Sequence, residues 1–187
     1  MLTIPNLISL VRLALIPVFL WLVFGLENLA GAGWLLGLIG ATDWIDGYLA
    51  RRLNQVTKIG EFLDPLADRL AVAAAVVAGL IEGVLPRWFG WAIIVREALI
   101  AVGALIVGLR AGSKLQVRRL GKLATLLLYP AVAAFYVGRG EDFDPLIWTA
   151  YILGIPGLAA YYVVGWEYMR DARSIVRDAE GRETAAG

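Results

Sequence analysis

Four aspartates, Asp43, Asp46, Asp64 and Asp68, lie within one stretch, DWIDGYLARRLNQVTKIGEFLDPLAD, whose flanks are almost wholly apolar. Carboxylates in such surroundings are costly unless cations neutralise them. Their spacing is ordered. Asp43, Asp46, Gly47 and Ala50 fall at offsets 0, 3, 4 and 7, one face of a helix, with Arg51 at its edge. Gly60, Asp64 and Asp68 fall at 0, 4 and 8, again one face. On two antiparallel helices joined by a short loop, these acids are nearly mirror-placed. Asp43 stands as far before the loop centre as Asp68 stands after it, and Asp46 and Asp64 pair similarly. At ~1.5 Å per residue the outer pair lies ~13 Å from the helix ends and the inner pair ~8 Å. The expectation is that all four carboxylates converge in one pocket.

Hard oxygen donors, in a chain with no histidine and no cysteine, suit Mg²⁺ or Mn²⁺ rather than zinc. Two ions fit such a donor set, an arrangement suited to displacement at phosphorus. Gly47 and Ala50 keep the helix face low, so a phosphate group can approach the backbone. Arg51 offers a planar fork to phosphate oxygens. The missing histidine excludes an imidazole base, a Ser-His-Asp triad and a phosphohistidine intermediate, which leaves acid–base work to carboxylates or lysine. Plain structural roles exist for single residues. Asp64 can cap a helix that begins at Pro65, Asp68 can pair with Arg69, and Asp43 and Asp46 can line a polar loop. Those roles do not account for four acids on two matched faces, with two small residues and an arginine among them.

The elements that must position these residues are legible in the hydropathy. The chain has 187 residues, 60% of them hydrophobic, with a mean hydropathy of +0.73, too apolar for an ordinary soluble domain. Six apolar segments run over roughly 7–25, 31–50, 60–82, 88–109, 120–138 and 146–168, each near the ~20 residues that span a bilayer. Turn and charge signals separate them: LENLAGAG, RRLNQVTK, EGVLPR, RAGSKLQVRR and GRGEDFDP. The first segment lacks a small-residue cleavage site and reads as a retained helix. Lysine and arginine crowd alternate connections. Arg51, Arg52, Lys58, Arg110, Lys114, Arg118, Arg119 and Lys122 lie on one side with the arginines of the tail, against only Arg87 and Arg139 on the other. By the positive-inside rule both termini are cytoplasmic. The expected architecture is all-α, a polytopic membrane protein of six transmembrane helices. It has one domain over residues 1–170 and a polar cytoplasmic tail over 171–187 that frays. The net charge of +1 gives no electrostatic footprint, and nucleic acid is not an expected partner.

The same residues carry a resemblance. The stretch is similar to the signature of the CDP-alcohol phosphotransferase (CDP-alcohol phosphatidyltransferase) family, D-x2-D-G-x2-A-R-x8-G-x3-D-x3-D. Asp43, Asp46, Gly47, Ala50, Arg51, Gly60, Asp64 and Asp68 fill every fixed position. The likeness extends to IPNLISLVRLALIP near the N-terminus and to the six-segment hydropathy, and weakens beyond about Lys122. It implies a membrane enzyme in which CDP-diacylglycerol donates its phosphatidyl group to an alcohol, releasing CMP. It implies that Asp43, Asp46 and Asp64 bind a metal pair with Asp68 beside it, and that Asp68 is the base for the acceptor hydroxyl. It also implies that Gly47, Ala50 and Arg51 hold the CDP moiety and that Gly60 allows close packing there. Within the family the chain most resembles the phosphatidylglycerophosphate synthases, whose acceptor is glycerol 3-phosphate. Cardiolipin synthases of the same superfamily, whose acceptor is phosphatidylglycerol, come second. The implied partners are CDP-diacylglycerol, a polar or lipid alcohol and membrane lipids. The implied location is the cell (inner) membrane, with the site facing the cytoplasm. Family members are often homodimers, and the chain offers apolar helix faces but no dimer motif.

Arg110, Lys114, Arg118, Arg119 and Lys122 share one connection. Lys122 and Arg118 are candidates for binding an anionic acceptor, although the positive-inside bias and contact with anionic lipid account for them equally. Arg96 and Glu97 fall inside the fourth helix, deeper than the aspartates, and read as an internal structural pair as readily as functional groups. Asn6 and Arg12 begin the first helix, an end that the resemblance sets near the nucleotide. Trp34, Trp88, Trp91, Tyr161, Tyr162 and Trp166 read as interface anchors. Two other classes compete. A divalent-cation transporter also gathers acids between helices, but needs them near the midplane or outer half. A membrane scaffold has no use for four acids.

Overall fold

The structure, a computed structural model, describes the backbone of residues 4–53, 58–111 and 119–186. It describes the side chains of residues 7, 9–42, 67, 69–102, 124, 126–167, 169 and 170. Six helices follow one another: α1 (Ile4–Phe24), α2 (Leu29–Leu53), α3 (Lys58–Ile81), α4 (Arg87–Ala111), α5 (Arg119–Gly140) and α6 (Asp144–Ala186). Among the described residues there is no strand. The first five apolar segments coincide with helices to within a few residues, because they are bounded by residues that stop or cap a helix, whereas α6 runs on well past the sixth.

Three connections are tight, and all three lie at the end of the bundle away from the α2–α3 loop. Each turns on one residue with positive φ: Glu27 at 52°, Gly83 at 68° and Asp142 at 50°. Such a residue just past a helix lets later amides reach back to the orphaned carbonyls of the last turn. The Phe143 amide bonds the Gly138 carbonyl at 2.9 Å, and the Asn28 amide bonds that of Leu22 at 2.8 Å. The Asn28 side chain then accepts from the Gly31 amide at 2.8 Å, capping α2.

Close approach of backbones and interhelical hydrogen bonds hold helices together even where apolar area gains little by burial. Both are present. α5 packs most extensively on α6 and then on α2, α1 packs on α3 and α2, and α4 packs on α6. The α2–α5 contact is made through small residues. A Cβ on Gly33 would stand 2.7 Å from the backbone nitrogen of Val137, and one on Gly40 would run into the Tyr129 ring. Edge-on aromatic contacts connect four helices: Phe19 of α1 with Tyr136 of α5 (centroids 5.3 Å apart), Phe135 of α5 with Tyr151 of α6 (5.1 Å), and Phe89 of α4 tilted against Phe135 (5.5 Å). The Tyr136 hydroxyl donates to the Ala75 carbonyl at 2.8 Å, tying α5 to α3.

The exterior is apolar. Trp21, Trp34, Trp88, Trp91 and Trp148 are all exposed near the end that carries the tight turns, as in an aromatic belt. Asp144–Glu167 is the one helical stretch among the described residues that is both long and apolar enough to cross a membrane. Ser9–Phe24, Leu29–Thr42, Arg69–Ile81 and Leu126–Gly140 are apolar but shorter.

Three expectations change. Tyr161 is not an interface anchor: it is buried, 8% exposed, whereas Trp34, Trp88, Trp91, Tyr162 and Trp166 are exposed. The polar tail does not fray, since α6 continues as helix to Ala186. Its Ala, Arg and Glu residues are good helix formers, and they extend a helix already nucleated. Finally, α3 begins at Lys58, so Pro65 lies within it and Asp64 does not cap its start.

Candidate active site

Asp43, Asp46, Gly47, Ala50 and Arg51 lie on the helical backbone of α2, and Gly60, Asp64 and Asp68 on that of α3. Lys122 lies in the first turn of α5. The side chains of all nine fall outside the described residues, as does the whole of Arg118. Among the described residues no three His, Cys, Asp or Glu side chains come together.

The described residues next to the acidic stretch give its surroundings. A cavity of about 20 Å³ sits in the bundle between Leu36 of α2, Val72 and Ala75 of α3, Ile93 of α4, Leu128, Tyr129 and Val132 of α5, and Tyr161 of α6. Five helices therefore share one interior. Position 43 is seven residues after Leu36, and position 68 is seven residues before Ala75. Seven residues is close to two full turns, so each of these backbone positions lies under a cavity-lining residue, ~10 Å nearer the α2–α3 loop. Since α2 and α3 are antiparallel neighbours, positions 43 and 68 stand level.

α1 supplies the other wall of this layer. It runs parallel to α3, and Leu13, Ile16, Leu20 and Phe24 share a groove with Leu70, Ala73, Val77 and Ile81. Leu13 and Leu70 mark the same end of that groove, so Arg12 is level with the backbone around positions 68 and 69. Arg12 is 1% exposed and Ser9 is fully buried. A buried guanidinium at that depth is a fixed positive charge beside the stretch that carries four acids. Sequence reasoning missed Ser9. The only signal for it is its place one turn before Arg12 on the same face.

Lys122 can be placed by helix register. Gly33 of α2 meets Val137 of α5, Gly37 meets Ala133, and Gly40 meets Tyr129. Continuing that antiparallel ladder brings the Lys122 backbone opposite positions 47 and 48 of α2. Gly47 follows Gly40 by seven residues and so continues the face that packs on α5. Arg96 and Glu97 form an ion pair at 2.9 Å. Arg96 is one turn from the cavity-lining Ile93, on the side of the α2–α3 loop, as position 68 is one turn from Val72.

Comparison with known proteins identifies the family. The model of the CDP-alcohol phosphatidyltransferase family matches residues 2–162. The chain is 35% identical to a cardiolipin synthase (CMP-forming) of Streptomyces coelicolor, over 94% of this chain and 85% of that one. It is 33% identical to the CDP-diacylglycerol–glycerol-3-phosphate 3-phosphatidyltransferase of Bacillus subtilis, over 91% of this chain and 98% of that one. A protein of that same description from Shigella flexneri is 34% identical over 86% of this chain and 81% of its own length. The match takes in α1 through α5 and the first part of α6, with the acid-bearing helices inside it, and a cation transporter or a scaffold no longer fits. The chain belongs to the CDP-alcohol phosphatidyltransferase family and is a membrane phosphatidyltransferase of phospholipid biosynthesis.

Proposed function

We propose that the enzyme transfers the phosphatidyl group of CDP-diacylglycerol to the hydroxyl of glycerol 3-phosphate, releasing CMP and forming phosphatidylglycerophosphate. The observation that carries the reading is the acidic stretch on two antiparallel helices whose backbones flank the shared interior, inside a family match of residues 2–162. In the reaction the acceptor oxygen forms a bond to the phosphorus of the phosphatidyl group. The bond from that phosphorus to the bridging oxygen breaks, and CMP leaves with the bridging electrons. Asp68 takes the proton from the acceptor hydroxyl. Gly47, Ala50 and Arg51 hold the CDP moiety, with Gly60 allowing close approach. Lys122 and Arg118 attract the anionic acceptor.

An all-carboxylate donor set fits a hard divalent cation. Asp43, Asp46 and Asp64, with Asp68 beside them at the edge of the metal site, would hold Mg²⁺ or Mn²⁺, as two ions. Bound there, the metal supplies charge stabilisation to the diphosphate and to the departing CMP.

The glycerol 3-phosphate reading follows the near end-to-end match with the Bacillus subtilis protein. The identity with the Streptomyces coelicolor protein supports a second reading, with phosphatidylglycerol as acceptor and cardiolipin as product. Six membrane-crossing helices with both termini cytoplasmic, in the inner membrane, set the site at the cytoplasmic face. A homodimer fits the apolar exterior. The test is to supply the purified protein with CDP-diacylglycerol and either acceptor, then identify the lipid formed. Phosphatidylglycerophosphate supports the first reading, cardiolipin the second, and no acceptor-dependent CMP release from either refutes both.

A further inference from the structure

Arg96 lies in the interior of α4 and is 6% exposed. Its contacts cross to α6. The Nε donates to the backbone carbonyl of Tyr161 at 3.3 Å, and Cζ stands 3.4 Å from the centroid of the Tyr161 ring. The Nη1 donates to Glu97 Oε1 at 2.9 Å, so α4's own carboxylate holds the guanidinium from the other side. One turn earlier on α4, the Tyr162 hydroxyl of α6 donates to the Ala92 carbonyl at 2.8 Å. The two helices therefore grip each other in both directions: a cation from α4 on the ring and carbonyl of Tyr161, and a hydroxyl from α6 on a carbonyl of α4. Gly165 leaves room for this, since a Cβ there would only touch Arg96 at 3.8 Å.

Ile93, one turn before Arg96, and the gripped Tyr161 itself line the cavity across from Leu36, Val72 and Ala75 of α2 and α3. The spacing of α4 and α6 thus sets the width of the interior on the side facing the acid-bearing helices. We propose that Arg96 is a positioning residue for phosphatidyl transfer: by clamping Tyr161, and with it α6, to α4, it fixes the wall opposite the acidic stretch. This rests on the reading of that stretch as the donor site. The role calls for arginine rather than lysine. A planar guanidinium stacks on a ring and donates from its edge at the same time, whereas an ammonium is a single flexible point of charge.

The test uses the full chain in phosphatidylcholine vesicles containing CDP-diacylglycerol. The parent enzyme is assayed first for acceptor-dependent CMP release. If it shows none, the donor-site reading fails, independently of Arg96. With an active parent, Arg96→Lys is expected to fold with an unfolding midpoint near the parent's. Its KM for CDP-diacylglycerol should stay within about threefold while kcat falls about 10–100-fold, as for a sub-ångström to 1 Å misplacement of reacting groups. Arg96→Met should lose at least as much kcat. With folded variants, three results overturn the proposal: parental kcat in Arg96→Lys, activity that merely tracks the folded fraction in both variants, and a donor KM that rises as kcat falls. If Arg96→Met does not assemble, Arg96→Lys decides alone. If neither folds, Arg96 is structural and the proposal is wrong.

Discussion

Replacing Gly33 by alanine tests whether α2 is set in place by close packing on α5. The new Cβ would stand 2.7 Å from the backbone nitrogen and Cγ2 of Val137 and 2.8 Å from Cβ of Tyr136. A relaxed carbon contact is ~3.5 Å, so the helices must part by ~0.8 Å, and a backbone atom cannot rotate away. Overpacking of this kind costs about 1–3 kcal/mol. Alanine returns about 0.5–1 kcal/mol through helix propensity at either glycine, so Gly33→Ala should fall about 1–3 kcal/mol below Gly37→Ala. Gly37 is the control on the same face. A Cβ there meets only Ala133, at 3.9 Å, so Gly37→Ala should be neutral or slightly stabilising. Because α2 carries Asp43 and Asp46, a displacement approaching 1 Å should also slow turnover by about 10–100-fold in Gly33→Ala. Thermal unfolding in detergent and CMP release measure the two effects. If Gly33→Ala is as stable and as active as Gly37→Ala, the argument that this contact positions the acids is wrong.

Asp68→Asn should lower turnover by about 10²–10⁴-fold, the usual range for losing a general base, while still binding CDP-diacylglycerol in a titration. Near-normal turnover would reassign the base. EDTA should abolish CMP release and Mg²⁺ or Mn²⁺ should restore it, and full activity in chelator would remove the metal from the reading. Glu27→Gly should raise stability by about 1 kcal/mol, because a left-handed backbone costs a side-chain-bearing residue ~1–2 kcal/mol; an unchanged unfolding midpoint counts against it. A thiol reagent confined to the cytoplasmic side should label Gln55→Cys and not Asp142→Cys, and the reverse pattern would turn the site outward.

The helices were legible because apolar runs near bilayer length are cut by residues that suit turns. EGVLPR is an example: Gly83 adopts the positive φ that ends α3. The places of the acids on the backbones of α2 and α3 were legible because their spacing is helical on both sides of one loop. What stayed hidden depends on a neighbouring helix. Tyr161 looks like any aromatic near the end of an apolar segment, and only Arg96, sixty-five residues away in sequence, reveals it as interior. Gly33, Gly37 and Gly40 read as ordinary small residues until Tyr129, Ala133 and Val137 are seen against them. The tail was misjudged for a different reason. Polarity argues for solvent contact, not against helix, and a chain already wound needs only favourable propagation to continue.

That continuation gives α6 a second property. From Tyr161, where Arg96 grips it, to Ala186 the helix runs on as one element. At ~1.5 Å per residue that is a rod of ~37 Å beyond the fulcrum. A tilt of about 5° at the grip, a change of a few tenths of an ångström beside the cavity, sweeps the far tip through ~3 Å. The C-terminal end of α6 is thus the place where a tilt at the grip would be largest. A spin label near residue 186 would read such a tilt amplified, and an unchanged spectrum on adding CDP-diacylglycerol would match a wall held fixed by Arg96.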